Sequence, residues 1–370
     1  MKKFLSVVLA FLMLAVMLPT IALAAGNTVK VKVVGGAEYE SLEAAIAAAK
    51  PVNGVITYEI YGQVTVTAIN WVQVAKAGLT DPITKVEFVG KTNDAEICIT
   101  GGLAILADQT YDIDVSFTNL KLSKLNPTYG GDYGHSPKYF TCWLRNTNAA
   151  QNTVTYTNCT FPNGVCNNQY GKTIFDNCNF TNNAPGLYNL WNYGGNTEIK
   201  NSTFTGTRGV KLYSEGPSGG TVDIDNTKFD GLTEKAAVIA SKPVEITITK
   251  VTVEACNKGF ITRDITGKDE LTLNVNGSDI SGTFNVTNAT SAEAAKTELK
   301  ITEGTFTGNT DSVKDYLPEG KTINSNGAVV DKGATPPTDG TITIIVPSTE
   351  ETPKTDDQKN PTTGANDMVA

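Results

Sequence analysis

Val154-Thr-Tyr-Thr-Asn-Cys-Thr-Phe161 aligns without a gap on Thr173-Ile-Phe-Asp-Asn-Cys-Asn-Phe180, and then on Thr197-Glu-Ile-Lys-Asn-Ser-Thr-Phe204 and Val222-Asp-Ile-Asp-Asn-Thr-Lys-Phe229. The same eight-residue frame fits residues 115–122, 246–253, 273–280 and 299–306. Its last position falls at 122, 161, 180, 204, 229, 253, 280 and 306, so the period is 19 to 27 residues after one interval of 39. A fixed element returning at this period predicts a stacked array in which each repeat buries its apolar face on the next.

Two columns of the frame are apolar. One holds Phe117, Tyr156, Phe175, Ile199, Ile224, Ile248, Val275 and Ile301, and the other holds Leu122, Phe161, Phe180, Phe204, Phe229, Val253, Ile280 and Phe306. Polar columns such as Thr157, Asp176, Lys200 and Asp225 lie between them. Period-two alternation predicts strands with one buried and one wet face. Asn119, Asn158, Asn177, Asn201 and Asn226 form a further column, which lapses to Lys250, Gly277 and Glu303. Asparagine suits a corner there, because its amide bonds backbone and neighbours and it tolerates unusual dihedrals.

A second element, often opened by glycine, follows the frame at Gly164-Val165, Gly186-Leu187, Gly209-Val210 and Gly259-Phe260. With two or three strands per repeat, residues of roughly 55–310 resemble the right-handed parallel β-helix, or pectin-lyase-like, superfamily. The expected fold is all-β, a right-handed parallel β-helix solenoid over residues 55–331. An N-terminal strand and capping helix are expected within 25–54 and a disordered tail over 332–370. Tyr39 to Lys50 reads as the helix, with Ser41 as its N-cap and Pro51 and Gly54 as its stop. Asp315 to Lys321 and Asn326 to Val330 resemble the closing segment of β-helix modules in Gram-positive surface proteins.

The N-terminus reads as a secretory signal peptide over residues 1–24, with Lys2 and Lys3, an apolar run from Phe4 to Leu18, and a small-residue cleavage site at Ala22-Leu23-Ala24. Near the other end, Asn360-Pro361-Thr362-Thr363-Gly364 looks like an NPxTG cell-wall sorting motif, cleaved by a sortase between Thr363 and Gly364. An apolar segment and a basic end are then expected beyond Ala370. The expected location is outside the cell, at a bacterial surface or cell wall, with sortase and peptidoglycan as partners. Net charge is −8 and the only arginines are Arg145, Arg208 and Arg263, a balance that disfavours nucleic-acid binding. The cysteines, Cys98, Cys142, Cys159, Cys166, Cys178 and Cys256, have no paired CxxC spacing, and the sole histidine is His135, so no zinc site is expected. Cys159 and Cys178 share one register and read as a small buried stack.

Chemistry is expected on outward columns. Asp176, Glu198, Lys200, Asp223 and Asp225 fall on one patch of three repeats, where residues of one register lie about 4.8 Å apart. The patch would bind Ca²⁺ through carboxylate oxygens, or supply an acid and a base to a polysaccharide lyase or glycoside hydrolase, as the superfamily resemblance implies. The chain lacks the Asp-Asp pair and Gly-His-Gly-type segment of polygalacturonases. A solvated cross-strand charge ladder is therefore the favoured reading, with no catalytic residue and no cofactor. The aromatic residues Tyr129, Tyr133, Trp143, Tyr188 and Tyr213 are the candidates for stacking on sugars. The leading expectation is a monomeric, adhesin-like or glycan-binding surface module for a glycan or host-surface ligand.

Overall fold

The computed structural model describes residues 29–67, 69–70, 83–100, 105–106, 113–125, 140–145, 152–168, 171–192, 196–213, 220–240, 244–254, 258–263, 271–281, 297–307 and 310–334. The signal-peptide segment, Tyr129, Tyr133 and the sorting motif lie outside them. Packing divides the chain into two units, Met1–Lys332 and Gly333–Ala370. All the sheets belong to the first unit.

The chain is all-β, in long parallel sheets. A twelve-stranded sheet takes Val55–Ile60, Lys85–Gly90, Asp114–Thr118, Thr153–Thr157, Lys172–Asp176, Asn196–Lys200, Gly220–Asp225, Val244–Thr249, Leu271–Asn276 and Thr297–Ile301 in sequence order, and two antiparallel strands, Val31–Val33 and Glu38–Tyr39, complete its first edge. A ten-stranded second sheet runs from Gln63–Val66 to Gly304–Thr307, and an eight-stranded third from Ile69–Asn70 to Lys258–Arg263. Successive strands of the chain enter the first, second and third sheets in turn. Each pass then lies in register on the one before: Val154 faces Thr173 and Thr157 faces Asp176 in a parallel pair. A hairpin between these repeats is thereby excluded.

The register turns the apolar columns into stacks. Tyr58, Phe88, Phe117, Tyr156 and Phe175 stack successively at 5.1, 4.9, 5.1 and 5.0 Å between ring centroids. Phe161, Phe180, Phe204 and Phe229 form a second stack at 4.9, 4.3 and 4.8 Å. Phe161 and Phe175 meet edge to face, joining the two. All nine rings are fully buried, and each contributes about 1.5–3 kcal/mol through burial, with about 0.5–1.5 more per ring pair.

The corner between the first and second sheets is left-handed. Asn119, Asn158, Asn177, Asn201 and Asn226 have φ of 56, 54, 54, 53 and 44°, and Lys250 and Gly277 keep the same conformation at 50 and 54°. Asparagine reaches this region at less cost than most residues. The amides form a ladder: Asn158 donates to Asn119 Oδ1 at 2.9 Å, Asn177 to Asn158 at 2.6 Å and Asn226 to Asn201 at 2.8 Å. Asn201 instead donates to Asp176 at 2.8 Å. Inside the corner, Ser202, Thr227 and Ser278 donate their hydroxyls to the carbonyl two residues back at 2.8, 2.9 and 3.3 Å, and the thiols of Cys159 and Cys178 do the same at 3.5 and 3.6 Å. Both cysteines are buried, as the shared register implied.

Both ends depart from the repeat. Helix α1, Leu42–Ala48, is capped by Ser41, whose side chain accepts from Ala44 N, and it buries Leu42, Ala45 and Ile46. It starts three residues later than expected because Glu38–Tyr39 is committed to pairing with Lys32 and Val31. At the other end Lys321–Ile323 and Val329–Asp331 form an antiparallel pair, and Phe306 N donates to Gly327 O at 2.7 Å. Gly327 has φ of 82°, and a Cβ there would lie 2.2 Å from Phe306 O, so no other residue fits.

Two substitutions test the corner and the ring stacks by urea unfolding. Asn158→Ala should lower stability by about 1–2 kcal/mol more than Asn158→Gly, because glycine keeps the left-handed corner without strain. Equal midpoints would show that the corner is not what asparagine supplies. Phe180→Ala should cost about 3–5 kcal/mol, the range for emptying a packed aromatic site.

Candidate functional site

The acidic patch exists as a register set. Ile174 faces Glu198 and Asp176 faces Lys200, and in the next pair Glu198 faces Asp223 and Lys200 faces Asp225. Lysines interleave the carboxylates: Lys200 Nζ lies 3.4 Å from Asp176 Oδ2, and Lys172 pairs with Glu198. Asp176 also accepts from Asn201. The side chains of Asp176, Lys200 and Glu198 are 30, 40 and 33% exposed, and Asp223 and Asp225 are exposed. The charges are therefore solvated and cross-paired, worth at most about 1 kcal/mol per pair. No group of three His, Cys, Asp or Glu among the described residues is placed to hold a metal ion.

Of the aromatic candidates, Trp143, Tyr188 and Tyr213 fall on the third sheet, and Tyr129 and Tyr133 lie outside the described residues. Trp143 and Tyr213 lie in strands Phe140–Arg145 and Arg208–Tyr213, in register with Cys166 and Ala240 respectively. Tyr188 is only 7% exposed, with the Arg208 guanidinium 5.2 Å above its ring. Trp191, 8% exposed, lies edge to face with Tyr188, and Lys211 Nζ sits 4.0 Å over its ring. Glu234 holds this arrangement by accepting from Arg208 Nε at 2.5 Å and from Gly186 N at 3.1 Å. The ring of Tyr188 is thus occupied by a cation of the protein's own, a packing arrangement rather than an open platform for sugar.

A different site stands where the repeat is broken. In the pass of Lys85–Gly90 and Glu96–Ile99, glycine replaces the corner asparagine: a Cβ on Gly90 would lie 1.9 Å from Asn119 O. The chain then makes an outward excursion, Lys91 to Asp94, before Ala95 returns inside. Three hydrogen bonds fix it: Lys91 N to Ile60 O at 2.9 Å, Gly62 N to Thr92 Oγ1 at 2.9 Å and Ala95 N to Thr92 O at 3.1 Å. Between this excursion and the next two corners lies a recess of about 480 Å³, bordered by Lys91, Asn93, Asn119, Lys121, Asn158 and Thr160. Both of its lysines are paired, Lys91 with Glu59 and Lys121 with Glu96, each at 3.2 Å. Glu96 is buried behind the rim, accepting also from Gln63 Nε2 at 3.0 Å and from the Ser123 hydroxyl. The repeat frame gives no sequence signal for this recess, because Gly90 and Lys91 to Asp94 precede Asn119, the first member of the asparagine column.

Carboxylates along this part of the first sheet are electrostatically tuned. The hydrogen bond from Lys85, at 2.7 Å, and that from Thr57, at 2.9 Å, hold Glu87 below the usual glutamate range against a burial effect that raises it. A folded value below the unfolded one means that the contribution to stability is complete above the unfolded value, about 4.3, and disappears as pH falls through the folded value. An NMR titration of the Glu87 carboxyl should show its midpoint rising toward the ordinary range in Lys85→Met. An unmoved midpoint would remove Lys85 as the cause.

No protein-family model matches this chain, nor does any curated protein or solved structure.

Proposed function

We propose that the three sheets are the faces of a right-handed parallel β-helix that serves as a secreted, cell-wall-displayed, glycan-binding module without catalytic activity. The observation that carries the fold is the cyclic order of strands, in which each pass from Val55–Ile60 to Lys258–Arg263 adds one parallel strand to each of the three sheets, and the last two passes add one to the first and one to the second. Parallel strands joined by crossovers are right-handed in nearly all known cases.

The non-enzymatic reading rests on the acidic patch. Catalysis by a carboxylate pair needs a substrate-enclosing site and one carboxyl with a shifted proton affinity. Here the carboxylates lie half or fully exposed beside Lys172 and Lys200. Display at the cell surface rests on the sequence: Lys2, Lys3 and Ala22-Leu23-Ala24 for export, and Asn360, Pro361, Thr363 and Gly364 for sortase-mediated attachment. A stiff array with repeating outward columns suits multivalent contact with a polymer that itself repeats.

The test is a panel of neutral and acidic polysaccharides, assayed with and without Ca²⁺ for both retention of the protein and release of reducing ends. Retention on at least one glycan without release is expected, and Asp223→Asn with Asp225→Asn should leave retention and stability unchanged. A depolymerising activity that disappears in this double variant would replace the reading with that of a polysaccharide lyase or hydrolase.

A further inference from the structure

We propose that the recess at the broken corner is a binding site for one neutral sugar unit of a glycan. This rests on the glycan-binding reading and adds to it a place and a ligand class. The recess exists because three things coincide. The Asn119 carbonyl packs against Gly90 where a Cβ would otherwise stand, the Lys91–Asp94 excursion builds a wall beside the corner, and the amide ladder ends there. The ladder has a direction: Asn177 donates to Asn158 and Asn158 donates to Asn119. Asn119 is therefore the last acceptor; its side chain, open to solvent, borders the recess, and its own Nδ2 has no acceptor among the described residues. A row of amides that satisfy one another along the sheet thus presents an unused donor beside the Lys91–Asp94 excursion.

The chemistry around that donor selects hydroxyl groups. Asn93 and Asn158 add amide groups and Thr160 a hydroxyl, each able to meet a group that both donates and accepts. The two ammonium groups on the rim are already neutralised by Glu59 and Glu96, and Asp94 is exposed beside them. Burial raises the Glu59 carboxyl, but hydrogen bonds from Lys91 and Tyr61 outweigh it and keep the group ionised and paired. The rim therefore offers no net positive field to a uronate or a phosphate, while the neutral polar lining matches a hexose or an N-acetylhexosamine. At about 480 Å³ the recess falls in the range of small-ligand sites. The excursion is pinned by backbone bonds to the neighbouring pass, so the site is formed before ligand arrives and loses little to ordering.

The experiment uses the mature chain and oligosaccharides of glucose, mannose, galactose, xylose and N-acetylglucosamine, with oligogalacturonate as the anionic comparison, read by saturation-transfer NMR and calorimetry. At least one neutral oligosaccharide should bind more tightly than oligogalacturonate. Asn119→Gly, which keeps the corner conformation that Gly277 adopts in the same column, and Asn93→Ala should each weaken that binding about tenfold, as expected for losing one or two well-placed hydrogen bonds. Asn226→Gly, the same change several passes away, should leave affinity as in the parent, and thermal melting should show that all three variants fold. Undiminished binding in Asn119→Gly and Asn93→Ala would overturn the site but leave the glycan-binding reading standing. Preference for oligogalacturonate would overturn the ligand class. Failure of the parent protein to bind any glycan in this panel or in the polysaccharide assay would overturn both.

Discussion

Parallel pairing in strict register is the constraint on which the rest depends. Once Val154 sits opposite Thr173, every later residue of the two strands has a fixed partner, and the buried ring of Tyr156 meets that of Phe175. Like then stacks on like: ring on ring in the interior, amide on amide at the corner, hydroxyl or thiol above hydroxyl or thiol just inside it. Such stacking is favourable for aromatics and amides, which satisfy or pack against copies of themselves. For charges it is not, since like charges directly opposite repel. One column of the wet face answers by alternation, with Lys200 between Asp176 and Asp225, while in the next Glu198 faces Asp223 and is paired by Lys172.

The corner shows how local chemistry holds that register. A residue in the left-handed region turns the chain, and the next side chain, Ser202 or Thr227 for example, ties the turn to the carbonyl two residues back. Sulfur serves where oxygen otherwise does, with longer bonds, in Cys159 and Cys178. The column tolerates Lys250 and Gly277 in place of asparagine because the backbone conformation is retained, although the amide ladder is not. That lapse is legible from the sequence. The break at Asn201, which bonds Asp176 instead of Asn177, is not, because it depends on a neighbouring carboxylate competing for the same donor.

Much of the architecture is legible from the eight-residue frame alone: the buried columns, the corner and the parallel stacking. The start of α1 is not, since Tyr39 has the composition of a helix but the pairing of a strand. Site residues divide in the same way. The register of Asp176, Glu198, Lys200, Asp223 and Asp225 follows from spacing. Lys172 as the partner of Glu198 needs the side-chain geometry. Tyr188 illustrates the limit of reading aromatics from composition, because the cation covering it comes from the following pass, twenty residues on. The recess is invisible to the repeat pattern for a simpler reason: it forms at Gly90, one pass before the asparagine column begins at Asn119.

The excursion at Lys91–Asp94 also says where this protein can change length. One residue added inside a strand such as Lys172–Asp176 would exchange its buried and solvent faces and disrupt both stacks. The four residues after Gly90 disturb neither, since Glu96–Ile99 returns to its place beside Lys121–Lys124 with every partner kept. A corner is therefore the place where added chain costs the stacks least, since the Lys91–Asp94 segment leaves and returns at fixed points. Length added there would bring loops of new shape and chemistry onto an unchanged frame, which length added on a face would not.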